Sequence, residues 1–349
     1  VRVFQDQYFC PDCLDEETIL CHHCGTRLWN DDNYGDSDTP LCRRCYDRYY
    51  TNCAHCGELL SLDDTYYEDG DDDLLPLCYS CFSALDQPAI HPYSHKPTPV
   101  FFGEGTRFFG VELEIDGAGE NDDNAKRVLE RANGNRERIY CKRDGSLDEG
   151  FEIVTHPMTP EYHLTRMPWR LILQEAVSMG YRSHQANTCG LHVHVNRTAF
   201  GDTEEDQDAC IARILYFFEK HWEELLKFSR RTPRQLERWA ARYGYKDRPM
   251  DILDEAKKHC LGRYTCVNLT NRNTIEFRIF RGTLKYNTLL ATLELVDRIC
   301  DVALCLSDED LKAMSWTTFV SGCQAPALVQ YLKERRLYVN EPVCGEEEV

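Results

Sequence analysis

Between residues 108 and 116 the chain alternates strictly. Val111, Leu113 and Ile115 fall on one side of an extended strand, and Glu112, Glu114 and Asp116 fall on the other. Side chains two apart on a strand face lie only about 6.5–7 Å from one another, so three carboxylates in a row repel unless water or a cation screens them. Alone, the pattern fits either a wet sheet edge or one wall of a metal site. Similar runs predict strands at 138–143, 151–155, 191–196, 265–269 and 274–280. In 191–196, His192, His194 and Asn196 oppose Leu191, Val193 and Val195. In 274–280, Glu276, Arg278 and Phe280 oppose Ile275, Phe277 and Ile279, and Arg281 follows. Glu152 sits between apolar neighbours in 151–155. Helical spacing of apolar residues marks 121–133, which opens on acids, and 168–180, which ends at a glycine. It also marks 204–229 and 287–307. The order lacks a regular strand–helix–strand alternation, so the expected class is α+β with a largely antiparallel sheet. Neither a Walker lysine loop nor a dinucleotide-binding fingerprint is present.

Charge and cysteine content divide this picture in two. Of 349 residues, 59 are acidic and 40 basic, a formal charge of −19. Residues 1–90 hold 19 acids against 5 bases, and the remainder 40 against 35. An acidic front argues against a nucleic-acid partner, which needs a basic footprint. No apolar run approaches the ~20 residues that span a bilayer, and no signal-peptide pattern opens the chain. A soluble, cytoplasmic protein without a membrane partner is expected. The chain starts at Val1 rather than Met, so an upstream segment is expected as well.

Ten of the 19 cysteines lie before residue 82, all in Cys-x2-Cys pairs. Residues 21–47 align with 53–82. Each copy has a Cys-x2-Cys-Gly knuckle, an Asp-Asp-x-Tyr segment and a Pro-Leu-Cys-x2-Cys. Zinc takes four such ligands in a tetrahedron. The simplest pairing is Cys21, Cys24, Cys42 and Cys45 for one ion and Cys53, Cys56, Cys78 and Cys81 for a second. The layout resembles tandem zinc ribbons or a LIM-type double finger, with treble-clef-like or ribbon-like repeats expected over 1–85. Cys10 and Cys13 look like the tail of an earlier repeat and supply half a zinc site, which His91 and His95 could complete. The module reads first as structural zinc, and a protein partner is a second role open to it. Residues 86–99, rich in proline, read as an extended linker, with a larger domain over 100–345.

The four polar strand faces carry Glu112, Glu114, Glu152, His192, His194, Glu276 and Arg278. One shared site explains that choice of residues better than four unrelated wet faces. Carboxylates with imidazoles and no thiol suit Mg²⁺ or Mn²⁺. Arg278 and Arg281 would then balance an anion such as phosphate.

At these residues the chain resembles a known family. "FFGVELEID" (108–116), "KRDGSL" (142–147), "GFEIVTHP" (150–157), "TCGLHVHVN" (188–196) and "NTIEFRIFRGT" (273–283) together are similar to the amidoligases. These belong to the carboxylate–amine ligase superfamily, with glutamine synthetase and γ-glutamylcysteine synthetase. The resemblance implies a glutamine-synthetase-like domain whose curved sheet holds ATP and Mg²⁺ or Mn²⁺. It implies Glu112, Glu114, Glu152, His192 and Glu276 as metal ligands, and His194 and Asn196 near the nucleotide. Arg278 falls on the transferring phosphate, Arg281 is a second cation and Asp144 positions the substrate amine or a metal. Asp116 has no counterpart and is expected to be solvated. The implied reaction joins a carboxylate to an amine, drawn from amino acids, peptides or proteins, through an acyl phosphate. Two rivals stand beside it: an amidase or transglutaminase-like enzyme using Cys189 as a thiol nucleophile, and a non-catalytic zinc-finger adaptor.

Overall fold

The computed structural model describes residues 1–69, 74–85, 88–258 and 262–338. It falls into two units, Val1–Pro88 and Ala89–Val349. In the first unit the repeat seen in the sequence is a repeat of structure. Strands Thr18–Leu20 and Arg27–Trp29 form a hairpin whose loop carries Cys21 and Cys24, and helix Arg43–Tyr49 starts at Cys42. The second copy pairs Tyr50–Asn52 with Leu59–Ser61 around Cys53 and Cys56, and helix Tyr79–Leu85 follows Cys78. Each copy buries only a small core: Cys21, Leu28, Leu41 and Cys45 in one, Cys53, Leu60, Leu77 and Cys78 in the other. Cys10 caps helix Pro11–Glu17, with Cys13 in its first turn, as Cys42 and Cys45 do in theirs.

The second unit is α+β. Its strands are β1 (Ile90–His91), β2 (Phe109–Ile115), β3 (Ile139–Lys142), β4 (Phe151–Thr155), β5 (Gly190–Asn196), β6 (Val267–Asn268) and β7 (Thr274–Arg281). They make one sheet in the order β6-β7-β5-β2-β4-β3-β1, antiparallel throughout except that β1 runs parallel to β3. Strand β1 lies inside the stretch read as a linker. Helices α1 (Asp122–Asn133), α2 (Pro160–Thr165) and α3 (Trp169–Ser178) come before β5. After it run α4 (Glu204–Lys220) and α5 (Trp222–Ser229), split at His221 where the periodicity predicts a single helix. Helices α6 (Pro233–Trp239) and α7 (Pro249–Lys258) precede β6, and α8 (Tyr286–Cys305) follows β7. Three short helices, α9 (Asp308–Ala313), α10 (Trp316–Ser321) and α11 (Pro326–Glu334), end the described chain.

Hydrophobic alternation decides which sheet face is covered. Phe109, Val111, Leu113, Ile115, Ile153, Val193, Ile275 and Phe277 share one core with residues of α3, α4 and α8. Phe218 of α4, for instance, packs on Phe277. Strand β7 departs from strict alternation, because its pairing with β5 slips one residue between Leu191/Phe280 and Val193/Phe277. This bulge turns Phe280 to the core side, against Phe228 of α5, where period two places it on the polar face. Arg281 stands opposite Gly190 as a result.

Candidate functional site

The other sheet face gathers the acids. Glu112 stands opposite His192 on β5, Glu114 opposite Glu152 on β4, and His194 opposite Glu276 on β7. Residues directly opposite share a face and sit close together, so residues up to 164 apart in sequence become neighbours. His192 Nδ1 lies 3.4 Å from Glu112 Oε2 and 3.6 Å from Glu276 Oε1, and His194 Nε2 lies 3.3 Å from Glu112 Oε1. Two groups have ligand atoms all within 4.8 Å of one another: Glu112, His192 and Glu276, and Glu114, Glu152 and His192. Both could hold a metal, and His192 belongs to each.

Most of these groups are deprived of water. Burial and the charge of Glu112 push Glu152 well above the carboxylate range, and burial also raises Glu114. Glu112 goes the other way: burial opposes its charge, but His194, His192 and Lys142 hold it well below the usual range. Glu276 is likewise lowered, with His194 and His192 outweighing its burial. The same pair of acids raises His194 against its own burial. Glu152 Oε2 and His194 Nε2 are buried and make no hydrogen bond, although each faces an ion partner. A cation would satisfy such atoms, and this oxygen-rich, thiol-free donor set fits Mg²⁺ or Mn²⁺.

Sequence reasoning missed two cations here. Lys142 stands opposite Glu152 on β3, with Nζ 3.2 Å from Glu152 Oε2 and 3.8 Å from Glu112 Oε1. The alternation of 138–143 could have found it. Arg231 follows α5 in a loop without periodicity, and no sequence signal marks it. Its Nη2 donates to the Phe280 carbonyl at 3.1 Å, its Nε is buried without a partner, and its charge reaches Glu114.

The remaining candidates are spread around this cluster. Arg278 donates to Glu276 Oε1, and Asn268 Nδ2 donates to Glu276 Oε2 at 2.7 Å. Arg281 donates to Asn187 Oδ1 at 2.8 Å. Asp144 accepts from the backbone N–H and hydroxyl of Ser146 and lies near enough for its charge to raise Glu114 and Glu152. The Asn196 amide is occupied with its own chain, accepting from Phe108 N–H and donating to the Thr106 carbonyl and Thr198 Oγ1. Asp116 is buried rather than solvated. It accepts from Thr188 Oγ1 at 2.6 Å and from the N–H groups of Gly117, Asp148 and Glu149. Those bonds outweigh burial and lower its pKa, a loop-fastening arrangement that explains the acid the sequence left unassigned. The Cys189 thiol is buried and pushed up to about 12 by that burial. Its sulfur meets Thr188 Oγ1 at 3.6 Å and the Arg182 carbonyl at 4.0 Å, neither of them a base.

A cavity of about 310 Å³ adjoins the cluster. It shares Glu112 and His194, and Phe101, Phe108, Tyr140, Pro97, Pro99 and Asn196 are among its walls. Part of the stretch read as a spacer is therefore a cavity wall.

In the first unit, Cys21, Cys24, Cys42 and Cys45 form one group that could hold a metal, and Cys53, Cys56, Cys78 and Cys81 another. Cys24 and Cys42 sulfurs are 3.8 Å apart, as are those of Cys56 and Cys78. That equals the edge of a tetrahedron with arms of about 2.3 Å, the zinc–sulfur distance. Cys10 and Cys13 stand 2.6 Å apart and exposed. His91 and His95 stack on each other in the second unit.

A sheet face bearing two overlapping carboxylate–imidazole groups beside a small-molecule cavity defines a metal-competent site of enzymatic type. A family model described as "Putative amidoligase enzyme" matches residues 130–300, which contain Lys142, Glu152, His192, His194, Arg231, Glu276, Arg278 and Arg281. This match, over just under half of the chain, supports the amidoligase family for the second unit. No curated protein matches the chain.

Proposed function

We propose that the second unit is an ATP- and Mg²⁺-dependent ligase that joins a carboxylate to an amine, on a sheet related to that of glutamine synthetase. One observation carries this reading: four carboxylates and two imidazoles from four strands meet on one face, with Glu152 Oε2 and His194 Nε2 buried and lacking hydrogen bonds. Bound there, Mg·ATP would supply the phosphoryl group that turns an inert carboxylate into an acyl phosphate. Glu112, Glu276 and His192 would hold one ion, and Glu114, Glu152 and His192 a second. The aromatic walls of the 310 Å³ cavity suit a nucleobase, with His194 between that cavity and the acids. Arg278, with its Nε buried and unpartnered, would stabilise charge on the phosphoryl oxygens. Burial and the charge of Glu112 raise Glu152 well above the carboxylate range, and a cation held there would oppose that shift. Asp144, on the loop after β3, would orient the incoming amine. The buried Cys189 thiol, far above neutral pH and with no base among its described hydrogen-bond partners, disfavours the thiol-nucleophile rival.

The zinc module would stabilise its own fold and offer a surface to a substrate protein. The test is ATP consumption against a panel of amines and carboxylates, with Glu112→Gln beside the wild type. Turnover should appear with a matched pair and fall by at least about a hundredfold in the variant. Equal turnover in both proteins would refute the metal roles.

A further inference from the structure

The two edges of the sheet are joined across its polar face. Strand β1 forms one edge and β6 the other, with five strands between them. Tyr93 follows β1, in a turn that the His95 N–H closes on the Pro92 carbonyl at 2.9 Å. Arg263 and Tyr264 precede β6, where the Tyr264 carbonyl accepts from the Ala241 N–H at 2.9 Å. Although they leave from opposite edges, the two segments touch: Arg263 Nη1 donates to the Tyr93 hydroxyl.

Contacts on either side extend this touch into a continuous bridge. The Arg263 guanidinium lies 5.7 Å from the centre of the Tyr93 ring and 5.2 Å from that of Tyr264, whose hydroxyl accepts from Nη2 at 3.3 Å. Beyond Tyr93 stands Lys142, with Nζ 5.7 Å from the ring centre, and beyond Tyr264 stands Arg278, 6.0 Å from that ring. Those two cations hold the acids themselves, Lys142 at Glu152 and Glu112, and Arg278 at Glu276. Their strands, β3 and β7, flank β4, β2 and β5. The bridge therefore spans the strands that bear Glu152, Glu112, Glu114, His192 and His194. Beneath it the Glu152 and Glu276 side chains are only 2% and 4% exposed, on the sheet face turned away from the main core.

The bridge is a closure rather than part of the frame. Each backbone end is held without it, one by the pairing of β1 with β3 and the other by the hydrogen bonds between Ala241 and residues 264 and 266. Tyr93 and Tyr264 are 49% and 38% exposed, so the core does not depend on their rings. Among the described residues no salt bridge engages Arg263. Its ties are cation–π contacts at exposed positions and hydrogen bonds to neutral hydroxyls, which are weak ones. A swing of the Arg263 side chain parts the bridge with no change in the backbone.

We infer that Tyr93, Arg263 and Tyr264 form a side-chain clasp that shuts the acid cluster off from solvent and parts to admit an organic molecule. The inference rests on the proposed site only in taking the cluster as a place that ligands enter. Diethyl pyrocarbonate, which acylates unprotonated imidazole, tests it on the full chain without metal or nucleotide. Its rate at His192 and His194 is read by tandem mass spectrometry, with the exposed His22 as internal reference. Arg263→Gln and Tyr93→Ala should each raise that rate at least fivefold, and Tyr93→Phe, which keeps the ring, should raise it less. The double variant should be no faster than the faster single one, because both substitutions open one clasp. The melting temperature and amide exchange in β5 should stay as in the wild type. Unchanged rates in both single variants, effects that multiply in the double variant, or a rise accompanied by faster exchange throughout β5 would overturn the clasp. Faster modification in a protein that binds no manganese and consumes no ATP would leave the clasp standing and sink only the ligase reading.

Discussion

The two units gather metal-competent ligands by opposite means. In the first, each four-cysteine group comes from two Cys-x2-Cys pairs within about 30 residues, on a hairpin loop and a helix start. Four buried residues make the core of each copy, two of them cysteines. In the second, ligands from residues 112 to 276 are aligned by strand register above a large core that does not need them. One region is a fold that a metal would have to hold together, and the other is a fold that would hold a metal. Chelation should separate them most sharply. With a strong zinc chelator, amide exchange in 1–85 should rise to near unfolded rates, since structural zinc contributes about 10–16 kcal/mol in small domains. Exchange in β2, β5 and β7 should stay slow. Equal loss in both units would erase the distinction.

The converse is a ligand change that leaves the fold alone. Glu112→Gln keeps the size of the side chain and its place on β2 but removes a charge from the first carboxylate group. Manganese affinity, read by electron paramagnetic resonance, should fall at least about tenfold. Zinc content and the melting temperature should barely move. A variant that unfolds would mean that Glu112 supports the sheet rather than a cation.

This contrast also explains what was legible in the sequence. Knuckle, spacing and repeat are local, so both cysteine groups could be read directly. The acid cluster could be read because β2, β4 and β5 keep period two, which put Glu112, Glu152 and His192 on predictable faces. Where period two fails, so does the reading. The bulge in β7 moves Phe280 into the core, and only cross-strand pairing reveals it. Asp116 reads as a solvated acid because its four donors come from residues 117, 148, 149 and 188. Arg231 owes its place to the left-handed turn at Arg230, and no pattern in the sequence announces such a turn. The break at His221 interrupts an apolar stripe that continues on both sides of it.

Acid should stress the second unit through a group outside the candidate ligand set. His163 of α2 is fully buried, its Nε2 3.1 Å from the Phe109 carbonyl, and burial pushes its pKa down to about 4. Unfolded, it titrates near 6.5. Below that pH the unfolded chain takes up a proton that the folded one refuses, so stability is lost as pH falls from about 6.5 to 4 and stays lost below. By pH 5 the loss from this residue is roughly 2 kcal/mol. Urea unfolding of the second unit at pH 7 and pH 5, in wild type and His163→Asn, measures it. The variant should show the shallower pH dependence, and parallel curves would assign the acid sensitivity elsewhere.

Two glycines bring the comparison down to single atoms. Gly150, just before β4, leaves no room: a Cβ there would sit 1.9 Å from the Ile115 carbonyl oxygen and 2.7 Å from Asp116 Cα. Gly150→Ala must therefore displace the end of β2, at a cost of about 1–3 kcal/mol. Because that end carries Glu114, manganese affinity should fall with it. Gly25, in the first knuckle, has open space around it but stands at φ 70°, with its N–H donating to the Cys21 carbonyl at 2.8 Å. Gly25→Ala pays only for its own backbone, about 1 kcal/mol. It should loosen zinc slightly, visible as faster exchange with a chelator, and leave manganese binding untouched. The first glycine is fixed by residues more than 30 positions away, and the second by its own turn. If Gly25→Ala disturbed the manganese site, or Gly150→Ala spared it, the division between a locally built and a register-built ligand set would not hold.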